Sequence, residues 1–246
     1  MSGDTNGPAA VQRPTLVLLH GSGDSAGVWD GVIADLDGYE CVALDLPGHG
    51  ALAGAPGPAR MSIADYAAWV GDELARRGLS GVAMMGHSLG SAIALRLAVD
   101  APRTVARLGL VGAGARLRVL PSLLEAARAE AGDSGTVGPQ LDALAVAPGH
   151  EALARAWASR RIPAAPGVLY RDLAACDGFD MMGDLAQVSQ PALVLTGAED
   201  RLTPPKYATY LAEHIPHSTL VLLPGAGHYV MIEAPGALAR VVRGWA

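Results

Sequence analysis

Three residues of this sequence carry side chains that together can perform nucleophilic catalysis at an acyl carbon. Ser88 lies between two glycines in Gly86-His87-Ser88-Leu89-Gly90. His228 follows the turn Gly225-Ala226-Gly227, and Asp200 closes Gly197-Ala198-Glu199. A serine hydroxyl is a weak nucleophile until a base takes its proton, and an imidazole base needs a third group to fix its tautomer. With glycine at 31 of 246 positions, the string G-x-S-x-G is weak evidence alone. A turn serine and a structural histidine are the rival readings, so the elements that position these residues must decide.

Short apolar runs bounded by Gly, Pro or Asp occur at 15–19, 41–46, 82–85, 108–111, 192–196 and 219–223. They are too short for helices, and their near-continuous apolarity suits strands covered on both faces. Helical patterns separate several of them. Within 61–77, Ile63, Ala67, Val70 and Leu74 share one face, and Gly78 is placed to end the helix. Further patterns cover 91–99, 205–214 and 235–245. Strands alternating with helices predict an α/β fold with a mainly parallel, doubly wound sheet of about six strands.

The alternation breaks between 113 and 188, where the helical segments 121–131, 137–147, 151–161 and 167–175 follow one another. One crossover needs one helix, so this stretch reads as a helical cap inserted into the sheet protein. The expected organisation is a flexible segment 1–14, a core of 15–112 with 189–246, and a cap subdomain 113–188.

In such a sheet, ligands bind outside the carboxyl ends of the strands. After the successive runs come His20-Gly21-Ser22-Gly23-Asp24, Pro47-Gly48-His49-Gly50, Gly86 to Gly90, Gly197 to Asp200, and Pro224 to His228. A serine, an acid and a histidine therefore reach one edge. The strand–turn–helix setting of Ser88 is the one a nucleophile elbow requires. It also puts the Leu89 N–H at a helix N-terminus, facing a developing oxyanion.

The motifs LLHGSG (18–23), DLPGHG (45–50), GHSLG (86–90), GAEDRLTP (197–204) and GAGHYVMIEAP (225–235) resemble the α/β-hydrolase superfamily, in its capped branch. The resemblance runs from about Thr15 to the C-terminus, in the chain order Ser, Asp, His. It implies Ser88 as nucleophile, His228 as general base and then acid, and Asp200 as the carboxylate orienting it. It also implies the Ser22 N–H as the second oxyanion donor. Glu199 is adjacent to Asp200, and Asp177 or Asp180 at the end of the cap are further candidates for the acid. Family members usually begin with an antiparallel hairpin. The polar stretch before Thr15 does not alternate, so the hairpin is expected to be missing, and the N-terminal segment or a second copy of the chain would cover the exposed edge.

The implied activity is that of a serine hydrolase cleaving small to medium carboxylic esters through an acyl-enzyme. Hydrolysis of an enol-lactone or of a C–C bond is the alternative within the superfamily, and a non-catalytic ligand-binding member is a third reading. Trp157, Leu169, Tyr170, Met181 and Met182 are candidates for the substrate pocket, with cap-to-core packing as their rival role. Arg155, Arg160 and Arg161 read as a solvated helix face, with an acidic substrate as the alternative.

Composition narrows the rest. A net charge of −6 without a basic cluster argues against nucleic acid. The two cysteines, Cys41 and Cys176, lack metal-ligand spacing and read as free thiols. No metal or other cofactor is expected, since no His, Asp and Glu cluster has ligand spacing. The start, MSGDTNGPAA, has neither a basic nor an apolar region of a signal peptide, and no apolar stretch is long enough to span a membrane. A cytoplasmic location is the expectation.

Overall fold

Alternate residues of the short apolar runs pack into opposite layers, and this makes them strands of one sheet. The computed structural model describes residues 13–55, 57–130 and 137–245. The strands are β1 (Thr15–Leu19), β2 (Glu40–Leu44), β3 (Val82–His87), β4 (Val105–Val111), β5 (Ala192–Gly197) and β6 (Ser218–Leu223). All pairings are parallel, in the order β2-β1-β3-β4-β5-β6. The expected mainly parallel sheet of six strands is thus entirely parallel, and the expected flexible segment falls largely on residues 1–12, outside the described residues.

The strand residues divide by parity, as a two-residue side-chain period demands. Val17, Leu19, Met84 and Val194 join one core layer; Leu16, Leu18, Met85, Leu193 and Leu195 join the other. The first layer is closed by α2 (Ile63–Arg76), α3 (Leu89–Asp100) and α8 (Pro205–His214). The second is closed by α1 (Asp30–Ile33), α9 (Val230–Glu233) and α10 (Pro235–Trp245). Both faces are covered, which explains why the strands lack a polar side.

Local chemistry sets the helix ends. Ser62 and Asp65 form a capping box at the start of α2, so the helix begins two residues later than the apolar pattern suggests. At its far end Gly78 takes φ +70°, with Gly78 N–H donating to Ala75 O and Leu79 N–H to Leu74 O. That pair of bonds is a Schellman motif, which favours glycine at this position.

Between β4 and β5 lie α4 (Pro121–Ala129), α5 (Val137–Ala145), α6 (Glu151–Ala158) and α7 (Val168–Asp177). Ala127, Val137 and Leu173 form a small apolar cluster among these helices. The strand order reverses between β1 and β3, so the loops after these two strands flank the switch point where such sheets bind ligands.

At the end of β5 the packing leaves no room for a side chain. A Cβ on Gly197 would lie 2.1 Å from the carbonyl oxygens of Ala226 and Gly227, in the turn before His228. Gly197→Ala is therefore expected to destabilise the fold by about 3 kcal/mol, measured as a shift in the urea unfolding midpoint.

Candidate active site

Ser88 occupies a backbone conformation that side chains rarely adopt. Its φ of 51° is the only positive value at a non-glycine position among the described residues. Such a conformation costs on the order of 1–3 kcal/mol and is held by its surroundings. A Cβ on Gly86 would lie 2.0 Å from Gly90 O, and one on Gly90 would lie 2.6 Å from the carbonyl oxygens of Leu19 and His20. Only glycines let the strand, the turn and the loop after β1 approach this closely. Ser88 N–H donates to Val111 O at 2.9 Å, and Ser88 O accepts from Ser91 Oγ at 2.6 Å. The helix starts at Leu89 rather than at the expected residue 91, because the turn feeds directly into it.

The acid and the histidine meet. Asp200 Oδ2 accepts from His228 Nδ1 at 2.8 Å, and both residues are buried. This bond puts the proton on Nδ1 and leaves Nε2 free to take one. Asp200 is held in turn by Thr203 and Leu202. Its Oδ1 accepts from their N–H groups at 2.8 and 2.9 Å, and its Oδ2 accepts from the Thr203 hydroxyl at 2.8 Å. Burial alone would raise the Asp200 pKa, but the His228 charge and these hydrogen bonds outweigh it and hold the carboxyl at about 2.

The other acid candidates lie elsewhere. Glu199 is exposed, Asp177 accepts from Val119 N–H, and Asp180 faces Arg116 and Arg118 at the surface. Thr203 is a site residue that the sequence reading did not single out.

His228 and Ser88 approach the same strand end. A Cβ on Gly112, just after β4, would touch the His228 ring at 2.9 Å, while Ser88 is bonded to the neighbouring Val111. No hydrogen bond joins the Ser88 hydroxyl to His228 among the described residues. Catalytic hydrogen bonds often tighten only when substrate is bound. His87 packs against His228 with ring centroids 4.6 Å apart and donates from Nε2 to His228 O. Burial, followed by the His228 charge, keeps it neutral, with a pKa well below the ordinary histidine value.

The loop after β1 lies over this turn, since a Cβ on Gly21 would fall 3.4 Å from Ser88 Cβ. His20 organises the loop as the sequence suggests. Its Nδ1–H donates to Gly21 O at 2.8 Å, and its Nε2 accepts from Leu46 N–H at 3.0 Å. Burial and the neighbouring His49 push its pKa down to about 3, so it remains neutral with this proton assignment. Neither the Ser22 N–H nor the Leu89 N–H donates to an acceptor among the described residues.

A cavity of about 210 Å³ opens beside Ser22 and Gly23, walled by Asp142, Arg161, Tyr170 and Tyr229. Leu169 and Tyr170, two of the candidate pocket residues, line it. Trp157 does not. Its indole N–H donates to Asp24 Oδ1 at 3.0 Å, and its ring lines a different hollow, beside Gly27. Met181 belongs to the core layer with Phe179 and Leu185 and borders a different hollow, beside Ile63 and Ala174. Arg161 is no solvated residue either, for it forms a two-pronged ion pair with Asp142 at 3.0 and 2.9 Å. Asp24 has its pKa pushed up to about 7 by burial, and its Oδ2 accepts no hydrogen bond among the described residues. Among the described residues no cluster of His, Cys, Asp and Glu could hold a metal ion, and no helix is long and apolar enough to cross a membrane.

A wholly parallel, doubly wound sheet with a serine on a strained strand-to-helix turn, and an acid–histidine pair beyond later strands, defines a class of α/β protein. The chain belongs to the α/β-hydrolase-fold family, whose model matches residues 14–235. It is 31% identical to a pimeloyl-[acyl-carrier protein] methyl ester esterase of Nitrosomonas europaea, over 90% of this chain and 91% of that one. A Klebsiella pneumoniae relative provisionally named a carbamate hydrolase is also 31% identical, with 94% and 90% covered. Among solved structures, a thermophilic esterase superposes with a TM-score of 0.75 at 31% identity, covering 95% and 89%.

The paired acid has a measurable signature. Its folded pKa lies below the unfolded value of about 3.9, so Asp200 stabilises the fold above that value and loses its contribution as pH falls towards 2. Between pH 4.5 and 2, the native protein is expected to lose about 2 kcal/mol more stability than Asp200→Asn, measured by urea unfolding across that range.

Proposed function

We propose that this protein hydrolyses carboxylic esters of small to medium size through an acyl-enzyme intermediate. The His228–Asp200 pair, converging with the strained Ser88 turn on the end of β4, is the observation that carries this reading. The esterase names of two relatives support it. His228 Nε2 takes the Ser88 hydroxyl proton as Oγ attacks the ester carbonyl. Ser22 N–H and Leu89 N–H receive the oxyanion, and these backbone donors stabilise charge that develops only in the transition state. His228 then passes its proton to the leaving alcohol. A water activated by the same imidazole cleaves the acyl-Ser88 bond. Asp200 holds the imidazole in the required tautomer and stabilises the imidazolium as it forms.

We further propose that the insertion 113–188 acts as a cap, with the cavity beside Ser22 receiving one side of the ester. Its wall combines the Asp142–Arg161 pair with Leu169 and two tyrosines. Because Arg161 is already neutralised by Asp142, the wall suits an uncharged substrate better than an anionic one.

A fluorophosphonate probe should label the native protein and fail to label Ser88→Ala. That variant should also lose at least about 10³-fold in kcat/KM on a p-nitrophenyl ester. Turnover of p-nitrophenyl esters is expected to decline as the acyl chain outgrows the cavity. Activity confined to a lactone or a diketone, with no ester turned over, would move the substrate class to the enol-lactone or C–C alternative.

A further inference from the structure

The insertion sends one buried carboxylate into the core, against the loop that follows β1. Asp172 on α7 is fully buried, and three groups donate to it. Oδ2 accepts from Gly23 N–H at 2.9 Å and from His49 Nε2–H at 2.8 Å, and Oδ1 accepts from the Tyr66 hydroxyl at 2.5 Å. Arg171 donates to the same hydroxyl at 2.8 Å and lies 4.0 Å from the carboxylate. Burial opposes ionisation of Asp172, but His49 and the donated hydrogen bonds keep its pKa below the usual carboxylate value. Charge on this group is therefore stable without contact with water.

The bond to Gly23 sits one peptide away from an oxyanion donor. Ser22 N–H belongs to the peptide whose carbonyl, Gly21 O, is held by His20. The next peptide, between Ser22 and Gly23, ends in the N–H that Asp172 holds. Gly23 has φ +64°, and glycines on both sides of Ser22 make this backbone soft in the absence of an anchor. With the peptides before and after Ser22 both fixed, its N–H has one direction available. A donor must point within a fraction of an ångström of the oxyanion position to act in the transition state.

We propose that Asp172 is a positioning residue for the oxyanion hole, so that the insertion supplies part of the catalytic geometry as well as a wall of the pocket. This rests on the reading of Ser22 N–H as an oxyanion donor and adds to it the group that aims it. The residue touches no substrate; it acts through the Ser22–Gly23 peptide.

The test uses the full chain, steady-state kinetics on p-nitrophenyl acetate, fluorophosphonate labelling and thermal melts. Asp172→Ala should lower kcat roughly 10–100-fold with KM within about twofold, because the lost aim matters only in the transition state. Asp172→Asn should recover most of that loss, since its amide oxygen can still accept from Gly23 while the Tyr66 hydroxyl accepts from its NH₂. Tyr66→Phe removes a bond to the same carboxylate but leaves Gly23 anchored. It should lower the melting temperature and keep kcat within about twofold. If Asp172→Ala fails to fold, Asp172→Ser, one bond shorter than the native side chain, takes its place with the same expected fall in kcat. A folded Asp172→Ala or Asp172→Ser with kcat within twofold of native overturns the proposal, as does a Tyr66→Phe kcat that falls equally far. Ser88→Ala separates the two levels. Turnover that survives in it overturns the serine reading and this proposal together. Turnover abolished in it, beside unchanged kcat in Asp172→Ala, overturns this proposal alone.

Discussion

Asp200 is buried, and burial by itself opposes its charge; the His228 charge, the bond to that residue and the donors from Thr203 reverse that preference. Much of the surrounding structure maintains this balance. The turn of residues 200–203 must stay closed so that two backbone N–H groups point at one carboxylate oxygen. The His228 loop must press against the end of β5, and the packing at Gly197 lets it. A buried carboxylate that keeps its donors is a stable charge, and each donor lost moves the balance towards desolvation.

The helices between β4 and β5 fasten this arrangement from both sides. Ala145 O, at the end of α5, accepts from His228 N–H at 2.6 Å and Tyr229 N–H at 3.0 Å. Arg201, next to Asp200, donates to Ala143 O and Val146 O. The buried side chain of Glu233 accepts from Gly227 N–H, Ala147 N–H and His150, so the residue before His228 is tied to the same segment. On the opposite side, Asp172 holds the loop after β1. The histidine loop, the acid turn and the β1 loop therefore each depend on backbone or carboxylate groups of residues 143–172. Such contacts make this segment part of the scaffold around His228 and Asp200, because buried polar groups left without partners are costly.

What reads clearly in the sequence is what depends on neighbours along the chain. The apolar runs became strands because a two-residue period buried on both faces leaves no polar alternation. The glycines of GHSLG forecast the turn at Ser88, since close backbone approach and a tight turn need missing side chains. Strand β4 begins at Val105, earlier than the apolar run at 108, because Arg107 lies in the strand yet reaches the carbonyl of Trp245. A polar residue inside a strand erases the pattern that would reveal it.

The sequence alone determined the layer architecture, the strand-end loops and the identity of Ser88, Asp200 and His228 as residues to watch, all from short-range pattern and motif. Tertiary structure brought Asp200, the acid the motifs already implied, to His228 and left Glu199, Asp177 and Asp180 elsewhere. It moved Trp157 and Met181 away from the cavity beside Ser22, paired Arg161 with Asp142, and brought Asp172 to Gly23 across 149 positions. Charge and apolarity along a helix state only that a face is polar or buried. Which partner it meets is set by how separate elements pack, and for a buried carboxylate that partner decides whether it is a stable charge.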